Sequence, residues 1–251
     1  MIYNVGKGAT CPPRLVIIQY TGNPKSKQNI ALVGKGITYD TGGLHLKGGH
    51  GMDTMYYDKG GTGAVFGVLN GTLALKLKVN VCFVFAIAEN AIGAESYKPS
   101  DIIKSYNGKT VEITNTDAEG RNVMCDGMSY VQRNYKVNEL IDIATLTGAV
   151  KVALGTETAG LFSNSSRFAA EVSSSGHAVF EEFWQLPIKE EHKRAMKGSM
   201  SDLRNADIDS SFGGASKAAA FLLEFVEEGV DWVHLDIAGT GFRKVAKAPL
   251  C

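Results

Sequence analysis

Cysteine is scarce in this chain: Cys11, Cys82, Cys125 and Cys251 lie far apart and form no CxxC pair. That spacing disfavours a zinc knuckle, a thioredoxin-type motif and a dense disulfide scaffold, and it fits a reducing, cytoplasmic setting. An excess of charge of either sign is also missing, with 26 Lys and Arg against 26 Asp and Glu. No global field therefore favours nucleic acid or an anionic membrane, and neither is expected as a partner. No apolar run approaches the roughly 18 to 20 residues of a membrane span. Residues 1–10 lack the basic-then-apolar layout of a signal peptide. HExxH spacing, internal repeats and a long Pro/Gly/Ser linker are absent too.

What is present suffices for a substantial core. At 251 residues and 44% hydrophobic content, a single α/β domain over 1–251 is the simplest organisation. Short β-branched runs at 15–19, 30–33, 79–87, 110–113, 139–143 and 232–237 read as strands. Apolar residues at three- and four-residue steps predict helices over 63–75, 122–134, 167–175 and 216–227. The alternation predicts a mostly parallel central sheet flanked by helices on both faces. Glycines cluster from Gly34 to Gly63, between one strand and the next helix. In open α/β sheets the region beyond a strand's carboxyl end is where ligands bind.

Three segments carry the chemistry. In VGKGITYDTGGLHLK, residues 33–47, a buried strand delivers Lys35, Asp40 and then Lys47 among glycines. A phosphate-binding P-loop does not fit, because that motif needs Ser or Thr after its lysine and Lys35 is followed by Gly36. GMDTMYYDKGG, residues 51–61, puts Asp58 just ahead of a helix, where an acid also has an ordinary reading as a dipole partner. NTDAEGR, residues 115–121, read as extended chain, would align Asp117, Glu119 and Arg121 on one face. Read locally, Thr116 to Glu119 is equally a capping box. Together the segments offer Asp40, Asp58, Asp117 and Glu119, whose charge would balance two divalent cations. Burying four unpaired carboxylates is prohibitively costly, so the combination calls for metals or for dispersal over the surface.

These segments, in this order and local spacing, resemble those of the leucyl aminopeptidase (cytosol aminopeptidase) family. The likeness continues through ATLTGA at 144–149 and WVHLDIAGT at 232–240 and spans nearly the whole chain. It implies a zinc-exopeptidase-like catalytic domain in which Lys35, Asp40, Asp58, Asp117 and Glu119 hold two metal ions, usually zinc with manganese, magnesium or cobalt able to exchange. Lys47 and Arg121 then occupy catalytic positions, Arg121 with a bicarbonate ion. Met55, Thr145, Leu146, Gly148 and Ala238 would surround the first substrate side chain, with Gly241 leaving that pocket more open. The implied substrates are peptides with a free N-terminus, and the implied assembly is a homo-oligomer, a hexamer in the family. Relative to the resemblance, both flanking regions are expected to be missing, and Asn122 and Cys125 replace residues that are usually aliphatic or small. An impaired fragment or paralogue that partners full-length members is the alternative this raises. His45 and His50 are expected as loop residues and His234 as a hydrogen-bonded core histidine.

Overall fold

The computed structural model describes residues 1–242; Cys251 lies outside them. The strands are β1 (Arg14–Thr21), β2 (Ile30–Asp40), β3 (Asn80–Asn90), β4 (Ile102–Lys104), β5 (Thr110–Glu112), β6 (Glu139–Ala144), β7 (Thr158–Ser163), β8 (Glu182–Gln185), β9 (Leu203–Arg204) and β10 (Asp231–Asp236). The helices are α1 (Ile2–Gly6), α2 (Gly49–Met52), α3 (Gly60–Leu75), α4 (Glu119–Tyr135), α5 (Gly148–Leu154), α6 (Ser166–His177), α7 (Glu190–Ala195) and α8 (Gly214–Leu223). A 3-10 turn occupies Met55–Tyr57. No helix among the described residues is long and apolar enough to cross a membrane.

Seven strands form one sheet in the order β1-β3-β2-β6-β10-β7-β8. The four central strands β3, β2, β6 and β10 run parallel, while β1 and β7 pair antiparallel with β3 and β10. The predicted parallel α/β sheet is thus present, with antiparallel margins. The strand expected over 110–113 forms as β5, but in a separate three-stranded sheet with β4 and β9. The helix expected over 216–227 ends as α8 at Leu223, after which Glu224, Phe225 and Val226 each bond three residues back in a tighter turn.

Side chains alternate across the sheet, so each strand feeds two cores. On one face Val33 and Ile37 of β2, Val84 and Ala86 of β3, Leu140 of β6 and Trp232 of β10 pack with Met124 and Met128 of α4 and Phe221 and Leu222 of α8. On the other, Leu32, Phe83, Phe85, Val233 and Leu235 pack with Val65 and Leu69 of α3 and Phe168 of α6. Burial on both faces explains why the central strands read as near-continuous apolar runs.

The geometry beneath the functional site follows from connection order. From β2 the chain passes through α3 to β3 on one side, whereas β6 lies on the other side of β2 and leads on toward β10. Neighbouring strands whose connections leave in opposite directions open a crevice at their carboxyl ends. Gly61 lets α3 close onto that point: a Cβ there would sit 2.0 Å from the Ile143 carbonyl oxygen and 2.9 Å from the Lys35 nitrogen.

One core residue is out of character. Asn122 is fully buried in α4, and neither its Nδ2 nor its Oδ1 has a hydrogen-bond partner. A buried, unmatched amide costs about 1 to 3 kcal/mol, and an apolar group of the same shape avoids that cost. Asn122→Leu is therefore expected to raise stability by about 1 to 3 kcal/mol. Urea denaturation with an unchanged slope would read it, and a lower midpoint would refute it.

Candidate metal centre

β2 delivers Lys35 from its interior and Asp40 as its last residue. Asp58 follows the 3-10 turn immediately ahead of α3, and Glu119 opens α4. α4 starts there with Ala118 at its N-cap and no side-chain cap. The extended reading of 115–121 and the capping-box reading both give way to this arrangement. The Thr116 hydroxyl instead donates to the Gly42 carbonyl at 2.7 Å and accepts from the His45 N–H at 2.8 Å. It thus ties the NTDAEGR segment to the glycine loop, and His45 belongs to that loop as expected.

Two lysines lace the carboxylates together. Lys35 Nζ lies 2.9 Å from Glu119 Oε1, donates to Asp58 Oδ1 at 2.9 Å and also bonds the Thr145 carbonyl at 2.9 Å. Gly120 leaves room for it, since a Cβ there would meet Lys35 Cε and Nζ at 2.7 Å. Lys47 Nζ reaches Asp40 Oδ2 at 2.9 Å and Asp117 Oδ1 at 2.7 Å. Asp58 Oδ1 also accepts the Thr145 hydroxyl at 2.7 Å, and Asp40 Oδ1 accepts from Gly42 N at 2.9 Å and Asn90 Nδ2 at 2.8 Å. Arg121 donates through Nη1 to the Asn205 carbonyl at 2.8 Å, while its Nε has no partner.

Asp40, Asp117 and Glu119 each place a carboxylate oxygen within 4.8 Å of the others. Glu119 Oε2 is buried without a hydrogen-bond partner. An orphaned carboxylate oxygen among further acids is costly unless a cation faces it, so the donor set fits divalent metal ions. All of the residues singled out from the sequence as ligands, catalytic groups or pocket walls line one cavity of about 360 Å³. Gly241 does not. Its missing Cβ space is taken by Ile237 and by Thr145 Cγ2 at 3.1 Å, and it faces a neighbouring cavity, so it does not widen this one.

The electrostatics follow from burial and crowding. Burial raises the Glu119 carboxyl to about 8, helped by Asp40, Asp58 and Asp117 and opposed by Lys35. Burial likewise pushes Asp58 up to about 6 and raises Asp117. For Lys35 and Lys47 burial alone would favour the neutral amine, yet the surrounding carboxylates more than reverse it and hold both above the ordinary lysine range. Arg121 is lowered to about 10 by burial and stays charged at neutral pH.

A carboxyl raised by folding binds its proton more tightly in the folded state, so stability falls as pH rises from the unfolded toward the folded value. The lysine shifts act only above about pH 10 and leave that range untouched. In chelator, the melting temperature is expected to fall between about pH 5 and about pH 8, and zinc or manganese should flatten the fall. Melting scans with and without chelator test this, and a chelated protein most stable near pH 8 would refute it.

Several residues that shape the site carry no sequence signal of their own. Asn90 bridges Asp40 and the Thr116 carbonyl, Tyr97 donates its hydroxyl to that carbonyl at 2.6 Å, and Asn205 holds Arg121. Each is an isolated polar residue whose partner lies on a distant element.

By fold and site this is an α/β protein with a carboxylate-rich cavity, spanned by lysines, of the kind that holds divalent metal ions. Residues 1–249 match the family described as cytosol aminopeptidase family, catalytic domain. The chain belongs to the cytosol aminopeptidase family. It is 46% identical over 243 residues to a probable cytosol aminopeptidase of Fusobacterium nucleatum subsp. nucleatum, covering 97% of this chain and 50% of that protein. A probable cytosol aminopeptidase of Pseudomonas fluorescens SBW25 is 46% identical over 245 residues, covering 98% and 49%. One of Aquifex aeolicus VF5 is 46% identical over 244 residues, covering 97% and 49%. The chain thus spans about half the length of the curated relatives it matches.

Proposed function

We propose that this chain forms the catalytic site of a two-metal aminopeptidase that removes the N-terminal residue, preferably a leucine-like one, from unblocked peptides. The observation that carries the reading is the cluster of Asp40, Asp117 and Glu119 oxygens within 4.8 Å, with Glu119 Oε2 left unpaired. Lys35, Asp40, Asp58, Asp117 and Glu119 would hold the ions, zinc with manganese, magnesium or cobalt able to substitute. Bound there, two divalent ions supply Lewis acidity toward the scissile carbonyl, an activated water and an anchor for the free α-amino group.

The chain's own residues do the rest. Lys47, partly exposed at the cavity wall and held as an ammonium by Asp40 and Asp117, can donate to the oxygen on which charge develops. Arg121 stays protonated, so it acts as a donor that orients an anion, and bicarbonate matches its planar fork. Lys35 must release its proton to serve as a ligand, and its position between Asp58 and Glu119 puts it among the oxygens that share the charge. Met55, Leu146 and Ala238 offer apolar wall for the first side chain.

The test is metal analysis of the purified chain together with leucine-amide hydrolysis. About two divalent ions per chain, hydrolysis lost in chelator and no cleavage of the N-acetylated amide are expected. A metal-saturated chain without turnover would sink the reading and favour the alternative, a binding partner of full-length family members.

A further inference from the structure

Asp236 closes β10 and is 1% exposed, yet it takes part in no ion pair among the described residues. Four donors converge on it. Oδ1 accepts the backbone N–H of Leu146 at 3.1 Å, of Thr147 at 3.3 Å and of Ala238 at 3.2 Å. Oδ2 accepts the Thr147 hydroxyl at 2.6 Å. That hydroxyl in turn accepts from Val150 N at 3.0 Å and so caps α5. Leu146 and Ala238 both contribute apolar wall to the cavity, one from the segment after β6 and the other from the segment after β10. The segment after β6 is also fixed on its other side, because Thr145 bonds Lys35 and Asp58.

We propose that Asp236 is a positioning residue that sets selectivity for the N-terminal side chain, by fixing the Leu146 and Ala238 walls relative to each other and to the ligand cluster. The inference rests on the aminopeptidase reading for what occupies the cavity. The chemistry of the group explains why a carboxylate stands there. Four converging donors require an acceptor-only group with two oxygens, whereas an asparagine offers one oxygen and would turn an NH₂ toward donors. Discrimination by an apolar pocket depends on walls that do not follow a smaller ligand inward. With the Asp236 bonds in place, a leucine side chain would cover more of the two walls than an alanine. Without them, the two segments can settle independently and the distinction shrinks.

The experiment compares Asp236→Asn, Thr147→Val and Thr147→Ser with the unaltered chain on leucine- and alanine-amide. Calorimetric binding of free L-leucine and L-alanine to the metal-loaded protein supplies a readout that needs no turnover. Asp236→Asn and Thr147→Val are expected to narrow the leucine-to-alanine ratio of kcat/KM about ten-fold, chiefly through a higher KM for the leucine substrate. The ratio of the two dissociation constants should narrow in parallel, with metal content unchanged. Thr147→Ser keeps the hydroxyl and should behave as the unaltered chain. An unchanged leucine-to-alanine ratio in Thr147→Val, or equal losses on both substrates, would overturn the proposal even if Asp236→Asn failed to fold. An unaltered chain that binds leucine over alanine through these residues but hydrolyses neither amide would refute the aminopeptidase reading and leave this one standing.

Discussion

Lys47→Gln is expected to lower kcat for leucine-amide by roughly two to three orders of magnitude, the cost of removing one donor from a charge that develops in the transition state. Glutamine keeps much of the length and the hydrogen-bonding ability of lysine but loses its positive charge. Lys47 bridges Asp40 and Asp117 from the partly exposed wall of the cavity, so its loss leaves Asp40 with its bonds to Gly42 and Asn90 and leaves Lys35 and its partners in place. Metal stoichiometry should therefore hold while kcat collapses and KM changes little, the signature of an interaction made in the transition state rather than the ground state. Steady-state kinetics with metal analysis of the same sample checks this. A variant within about three-fold of the unaltered kcat would remove Lys47 from the mechanism.

The largest effect on stability is expected at Asp142, away from the metal ligands. Its carboxylate is fully buried between two β10 side chains, accepting from Trp232 Nε1 at 2.7 Å and lying 2.6 Å from His234 Nδ1. Burial disfavours a charged His234, but the charge and hydrogen bond of Asp142 outweigh it and raise the imidazole above its ordinary value. Replacing Asp142 by Ala leaves the buried His234 imidazole and the Trp232 indole N–H without their acceptor, and breaking a buried pair from one side costs about 3 to 5 kcal/mol. The sign of the pH dependence follows from the raised histidine. Its contribution is full below about pH 6.5 and is lost as pH rises through the folded value. Urea denaturation at several pH values should show the gap between the unaltered and Ala chains shrinking toward alkaline pH. A constant gap would mean that His234 is neutral throughout.

Much of this architecture could be read from the chain because the metal-type segments are local. Lys35, Asp40 and Lys47 sit in one strand-to-loop run, and Asp117, Glu119 and Arg121 in one heptapeptide, so the charge of the carboxylates and the family resemblance together point to one site. His234 was readable as a bonded core histidine because a polar residue in an apolar strand has few other solutions. What escaped was long-range. Asn90, Asn205 and Asp236 are single residues whose partners lie on other elements, and no spacing rule reaches them. The start of α4 misled both local readings because Thr116, a competent helix cap, is recruited by Gly42 and His45 across the site. The short margins β7 and β8 lack a strong alternating pattern, and the small β4-β5-β9 sheet is defined by pairing between segments far apart in the chain.

The reversal of connection direction between β2 and β6 also fixes when the site can come into being. Gly34 pairs with Ile143 across the crevice, so strands separated by about a hundred residues must dock before the Thr145 segment can meet Lys35 and Asp58. β10 has to add beside β6 before Ala238 is in place. The bonds that hold Lys35 and Asp58 in place thus depend on a contact of high sequence separation, the kind that forms slowly. Cobalt bound at the proposed centre would report through its absorption when that site assembles, and its band is expected to rise after helix signals have recovered.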